Sequence, residues 1–214
     1  SGLHIVAEHF QRVKHHLLGV KGAKIKDLTH VHSHVHALPQ CRKLIAELGL
    51  EPVVHADTAG AAADVAAMGN KTQAAIGSKL AAELDGLVSL REGIEDAEHN
   101  TTRFAVMARK AQVPTLSDGT VITSFVFRVR NVPAALFKAL GGFATNGVNM
   151  TKLESYVRGD FVAAQFYADV EGHPEDMSLK RAFEELRFFT HEVKILGTYA
   201  AHPYRAEQSG NGVD

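Results

Sequence analysis

Residues 29–49 read THVHSHVHALPQCRKLIAELG, and the change of rhythm inside them decides the fold. Residues 29–33 alternate as a strand does. From residue 37 onward Leu38, Cys41, Leu44, Ile45 and Leu48 recur at helical spacing and form one apolar stripe, with Gly49 as a C-terminal stop. The strand-then-helix unit returns twice. Residues 52–56 (PVVHA) lead into the Ala-rich stretch 59–69, which Asp57 or Thr58 can cap and Gly69 closes; residues 73–77 (QAAIG) lead into 78–86. Residues 3–10, 13–20 and 87–90 read as further strands. Strands alternating with helices at this spacing predict an open α/β sheet.

Residues 91–100 are polar and without periodicity, so they connect this lobe to the strand RFAVMARK at 103–110. The Pro, Ser, Asp and Gly of residues 111–119 mark a second break. Beyond it the order is strand 120–129, helix 133–147 with Pro133 in its first turn, strand 149–157, a turn at Arg158-Gly159-Asp160, strand 161–170, helix 174–190 and strand 192–199. That order, βαββαβ, predicts a sheet with both helices on one face. The expected organisation is a first lobe over 1–110, a linker over 111–118, a second domain over 119–200 and a flexible, polar tail over 201–214.

Composition narrows the function. The chain has 214 residues, 45% of them hydrophobic, and a formal charge of -1 with both signs interspersed. Those figures predict a soluble globular protein with no broad basic face for nucleic acid. No apolar run reaches membrane-spanning length, and the start SGLHIVAEHF lacks the pattern of a secretory signal. Cys41 is the only cysteine, which excludes an internal disulfide and fits the cytoplasm. The chain lacks an initiator Met and opens almost directly on a strand, as a processed product or a fragment would.

Ligands of open α/β sheets bind at the carboxyl ends of the strands, where helix N-termini offer unpaired N–H groups. Two such corners are legible: Ser33-His34, and Asp57-Thr58-Ala59-Gly60. The polar segment Asn100-Thr101-Thr102-Arg103 enters a strand from the opposite direction and would make a third wall. Together they suit a small molecule carrying carboxylates, though each alone is also what an ordinary cap or strand end looks like. His30, His32, His34 and His36 alternate, but neighbours on one strand face lie roughly 7 Å apart and the alternation must break near His36, so no metal site is expected. Neither G-x-G-x-x-G nor G-x-x-x-x-G-K occurs. Cys41, on the apolar stripe, reads as a buried structural thiol.

Taken in order, three segments resemble one family. VHSHVHALPQC (31–41) resembles the S-H-x-x-A-x-x-Q-C signature of prephenate dehydratases, NTTRFAVMAR (100–109) resembles their N-x-T-R-F-x-V-x-A-R segment, and VNMTKLES (148–155) resembles the approach to the E-S-R-P signature of their ACT regulatory domain. ADTAGAA and AAIGS match between them, so the likeness runs from Leu3 to about Tyr204. It implies a periplasmic-binding-like lobe followed by a ferredoxin-like ACT domain, dimeric through the latter. It implies the cofactor-free conversion of prephenate to phenylpyruvate in phenylalanine biosynthesis, with arogenate as a close alternative substrate. Thr102 then corresponds to the catalytic threonine, Arg103 either binds a carboxylate or braces the cleft, and Ser33, His34, Thr58, Asn100 and Thr101 line the substrate site. By the same resemblance Ala134, Ala135, Leu136, Asn149, Leu153, Glu154 and Ser155 hold a phenylalanine effector.

The sequence departs from that family in places. Val35 stands where the family has proline; Tyr156-Val157 replaces Arg-Pro, removing a cation; Ala134 replaces glycine. The family's N-terminal segment with its G-P-x-G turn has no counterpart here, which predicts an open, incomplete cleft. A non-catalytic amino-acid sensor, an ACT dimer on a remnant lobe, is the rival expectation.

Overall fold

The structure is a computed structural model that describes residues 2–97, 100–116, 119–130, 132–157 and 163–209. It divides into two compact units, one of residues 11–102 and one of residues 1–10 with 103–214. The first strand, β1 (His4–Arg12), contributes to both.

The unit of residues 11–102 contains β2 (His16–Gly19), β3 (His30–His34), α1 (Arg42–Leu48), β4 (Glu51–His55), α2 (Thr58–Met68), β5 (Gln73–Gly77), α3 (Lys79–Asp85) and β6 (Val88–Glu92). Its sheet runs β4-β3-β5-β2-β6. Strand β3 is parallel to both neighbours, and β2 is antiparallel to β5 and β6. Both sheet faces are covered. Leu17, Val31, Ala74 and Ile76 bury one face against Leu38, Cys41 and Leu44, while Leu18 and Ala75 bury the other against Ala62, Val65, Ala81 and Ala82. A full leucine or isoleucine buried here contributes about 1.5–3 kcal/mol. The alanines of α2 and α3 let those helices approach closely.

The other unit adds β7 (Thr101–Ala108), β8 (Val121–Val129), α4 (Ala135–Thr145), β9 (Met150–Val157), β10 (Ala163–Glu171), α5 (Met177–Phe188), β11 (Thr190–Ala200) and α6 (Tyr204–Ser209). β1 pairs with β7, and the remaining strands form a sheet in the order β11-β8-β10-β9. This is the expected βαββαβ ferredoxin-like arrangement. Period-two alternation along β8 sends Phe125 and Phe127 to the helical side, where Phe125 meets Phe183 at 4.9 Å and Phe143 at 5.7 Å between ring centres. Ile122 and Ser124 take the opposite side. There Ile122 and Tyr199 pack with Ile5 of β1. Gly197 makes that contact possible, because a methyl group at its position would overlap the carbonyl oxygen of Ile5.

Several local readings need correction. The helix expected over 37–49 is a 3-10 turn, Leu38–Cys41, followed by α1; Pro39 near the start of the turn and the non-helical backbone of Cys41 separate them. Pro133 does not enter α4, which starts at Ala135 after Ala134 adopts φ 57°. The polar tail is not wholly frayed: α6 forms, with Tyr204 stacked on Phe10 at 4.9 Å and Arg205 bonded to Glu8. The turn expected at Arg158-Gly159-Asp160 lies outside the described residues, as do Ser117 and Asp118 of the expected linker and residues 210–214 of the tail.

Two glycine-type positions make opposite predictions. Left-handed backbone costs an L-residue about 1–2 kcal/mol, partly offset by the extra unfolded-state freedom of glycine, so Ala134→Gly should stabilise by up to about 1 kcal/mol. Gly197→Ala should destabilise by at least about 2 kcal/mol, because β1 must move away. Urea denaturation of both variants checks the pair of signs.

Candidate active site

Parallel pairing sets the ends of β3, β4 and β5 at one edge of their sheet. His34 pairs with His55 across β3 and β4, and the antiparallel β2 begins at the same edge, where His16 faces Gly77 and Glu92. Ser33 is fully buried and donates its hydroxyl to the Ile76 carbonyl at 2.7 Å, tying β3 to β5. His34 is half-buried and its Nδ1 accepts the His36 N–H at 3.3 Å. His32, by contrast, is buried structure, with its nitrogens 2.9 Å from His55 Nε2 and 2.7 Å from Gln73 Oε1.

The second corner is α2. Asp57 caps it, Oδ1 accepting the Gly60 N–H at 2.6 Å, and Thr58 opens it half-buried, with its carbonyl near Gly77 at the end of β5. One of the orphan N–H groups is thus already satisfied by a carboxylate. The β3 corner begins with a 3-10 turn, whereas α2 and the shorter α3, capped by Ser78 after β5, begin as regular helices.

A glutamine joins the third wall to the first. Gln40, in the turn after β3, accepts a hydrogen bond from Asn100 Nδ2 at 2.8 Å and lies 2.8 Å from His15 Nε2. The Asn100 carbonyl accepts the Val13 N–H at 2.8 Å, and the Asp96 N–H reaches the Gln40 carbonyl at 2.6 Å. Between Gln40, Arg42, Asp96 and Asn100 is a hollow of about 370 Å³. Asn100 is therefore held at the carboxyl end of β3, and Thr101 and Thr102 follow it into β7, the former half-buried and the latter exposed. The sequence reading missed Gln40 and His15 as organisers. Gln40 stands inside the Q-C signature, but only the fold shows which side chain it meets. Cys41 beside it is fully buried and pushed up to about 12 by burial and by the nearby Asp96 and Glu95 carboxylates, so it is no nucleophile.

Arg103 belongs to the other unit, where all three guanidinium nitrogens are engaged: Nε with Glu8 at 2.6 Å, Nη1 with Asp169 at 2.7 Å and Nη2 with the Tyr199 hydroxyl at 2.5 Å. Glu8 also accepts from Arg205 Nε at 2.6 Å and from the His202 N–H at 3.1 Å. Asp169 accepts from Ser124 at 2.5 Å and from Tyr167 at 2.6 Å. Both carboxylates are fully buried. The guanidinium of Arg103 is held above its ordinary range: burial opposes this, but Asp169, Tyr199 and Glu8 outweigh it.

The expected effector residues fall on two elements of the same unit. Ala134, Ala135 and Leu136 start α4, with Ala135 buried and Leu136 packed on the core. Asn149 precedes the outer strand β9 and donates to Glu171 at 3.1 Å, while Leu153, Glu154 and Ser155 are exposed along β9. Tyr156 donates to Glu154 at 3.1 Å, and Lys152 lies 3.0 Å from the same carboxyl. Those two contacts, Lys152 first, hold Glu154 below its usual value.

Comparison with known proteins agrees with this architecture. The family model described as prephenate dehydratase matches residues 1–112. The bifunctional N-acyl-homoserine lactone acylase/prephenate dehydratase of Komagataeibacter europaeus is 54% identical over 207 residues, covering 96% of this chain and 73% of that protein. Arogenate dehydratase/prephenate dehydratase 1 of Arabidopsis thaliana is 37% identical over 212 residues, covering 92% of this chain and 54% of that protein, so the chain spans about half the length of that relative. The crystal structure of prephenate dehydratase in complex with L-Phe from Arthrobacter aurescens superposes with a TM-score of 0.81 at 28% identity, covering 98% of this chain and 73% of that one. The fold and the site together define an α/β module carrying a ferredoxin-like domain. The chain belongs to the prephenate dehydratase family.

Glu8 carries a pH prediction. Burial pushes its carboxyl up, but the Arg205 hydrogen bond, the His202 N–H and Arg103 more than offset this and hold it below its ordinary value. Stability from such a group is present above the unfolded value of about 4.3 and is lost as pH falls through the folded one. The denaturation midpoint should therefore drop on acidification below about pH 5, and Glu8→Gln should have a lower midpoint at neutral pH and a shallower drop.

Proposed function

We propose that the protein catalyses the decarboxylative dehydration of prephenate to phenylpyruvate. The observation that supports this reading is the Gln40–Asn100 hydrogen bond, which ties Asn100, the residue before Thr101 and Thr102, to the turn that follows Ser33 and His34 of β3. Loss of CO2 and hydroxide from prephenate generates an aromatic ring, so the driving force resides in the substrate. The protein's task is to hold a dianion and help the hydroxyl leave.

In this reading Thr102 donates a hydrogen bond to the departing oxygen, an electrostatic role that suits an alcohol too weakly acidic to surrender its proton. Its exposed position leaves it accessible to a bound molecule. The Thr58 hydroxyl and the first N–H groups of α2 serve a substrate carboxylate, against some repulsion from Asp57. His34 and Asn100 orient the remainder. Arg103 has its nitrogens committed to Glu8, Asp169 and Tyr199, so it acts as a brace and not as the carboxylate receptor. Residues 119–200 are read as an ACT regulatory domain that binds phenylalanine and dimerises.

A second reading comes from the acylase named in the Komagataeibacter relative, 54% identical across 96% of this chain. Hydrolysis of an N-acyl-homoserine lactone would release a fatty acid, and assay for that acid tests it separately. A non-catalytic sensor would bind phenylalanine and produce neither product.

Thr102→Ala should lower phenylpyruvate formation about 100-fold or more while the denaturation midpoint stays close to wild type, and Thr102→Ser should retain much of the rate. Equal rates in wild type and Thr102→Ala would remove Thr102 from the chemistry. Isothermal titration should show phenylalanine binding to the C-terminal unit, weakened by Glu154→Ala; absence of heat at about millimolar ligand would remove the effector assignment.

A further inference from the structure

The C-terminal unit gathers four charged side chains in one largely buried cluster. Arg103 and Arg205 supply two positive charges; Glu8 and Asp169 supply two negative ones. Ser124, Tyr167 and Tyr199 satisfy the remaining lone pairs. Such a cluster gains little over an apolar core of equal volume, because desolvation consumes most of the attraction. What it supplies is direction. A guanidinium gripped at three nitrogens by strands β1, β10 and β11 can take one orientation only.

That orientation has a consequence one residue away. Side chains on a strand alternate between faces, so fixing Arg103 toward Glu8 and Asp169 fixes Thr102 to the opposite face of β7. A slip of one residue in the β1–β7 pairing, or a twist of β7 about its axis, would exchange them. Strand β7 has little apolar anchorage of its own: Phe104, Val106 and Met107 are exposed. The charge contacts act on β7 directly, while β1 is also held by the close passage of Ile5 over Gly197 and the stacking of Phe10 on Tyr204.

We propose that Glu8 and Asp169 are positioning residues for the reaction, acting through Arg103 to hold Thr102 on the opposite face of β7. This rests on the dehydratase reading for its chemistry, though not for its geometry. Asp169 lies on β10 opposite Lys152 of β9, the residue just before Leu153, so the clamp reaches the strand that carries the expected effector residues.

The test uses the whole chain with Asp169→Asn and Arg103→Lys, the latter keeping the charge while reaching one carboxylate in place of two. Hydrogen exchange should accelerate about tenfold at the amides of residues 101–104, with the amides of Phe125 and Phe143 in the helical-side core within about twofold of wild type. Turnover of prephenate should fall about 10- to 100-fold with KM within about twofold, and Asp169→Glu should recover part of it. Equal acceleration at the core amides would mean that the cluster is a general stabiliser, and unchanged exchange and turnover would mean that it positions nothing; either overturns the proposal. Should Asp169→Asn fail to fold, Arg103→Lys alone decides. If the wild-type chain makes no phenylpyruvate, the dehydratase reading fails, while localised exchange at residues 101–104 still reports on the clamp.

Discussion

The grip of Glu8 and Asp169 on Arg103 is the constraint on which the C-terminal unit depends. Three strands that are distant in sequence, β1, β7 and β10, meet at one guanidinium. The open face of the ferredoxin-like sheet would otherwise present Ser124, Tyr167, Asp169 and Tyr199 to water. Placing the β1–β7 ribbon over it requires that every polar atom find a partner, because an unpaired buried carboxylate costs several kcal/mol. The partners come from the ribbon itself and from Arg205 on α6, which explains why a polar C-terminal segment forms a helix there.

The residues proposed for chemistry use a different device. In the unit of residues 11–102, parallel β3, β4 and β5 bring three connections to one edge, and backbone geometry does the collecting. Ser33 ties two strands, Asp57 starts the longest helix of that unit, and Gln40 fastens Asn100 to the β3 corner. Polar residues at these positions serve the fold and leave Thr58 and Thr102 partly or fully accessible. That division of labour fits a reaction whose driving force lies in its substrate.

Much of this was legible in the sequence where local patterns decide. The period change after residue 33, a cap at Asp57 or Thr58 and the βαββαβ order of residues 119–200 are properties of short windows, and the elements follow them. Pairings between remote residues were not legible. Nothing near Arg103 announces Glu8, 95 positions earlier, or Asp169, 66 later. Gln40 lies within a quoted signature, yet its contacts to His15 and Asn100 need the fold to close. Ala134 was recognisable as a departure from glycine, while its left-handed backbone emerged only from the structure. The tail misled because its composition is that of a loop, and its helix depends on Glu8 and Phe10 from the start of the chain.

The central claim is that Ser33, His34, Thr58 and the Asn100-to-Thr102 segment form one site for a dianionic substrate. Backbone amide shifts of the isotopically labelled chain, followed during titration with prephenate, test it most directly. The account predicts saturable changes grouped at those residues and at Gln40, with residues 134–155 unaffected. Saturable changes confined to the C-terminal unit, with residues 33–58 and 100–102 silent, would contradict it.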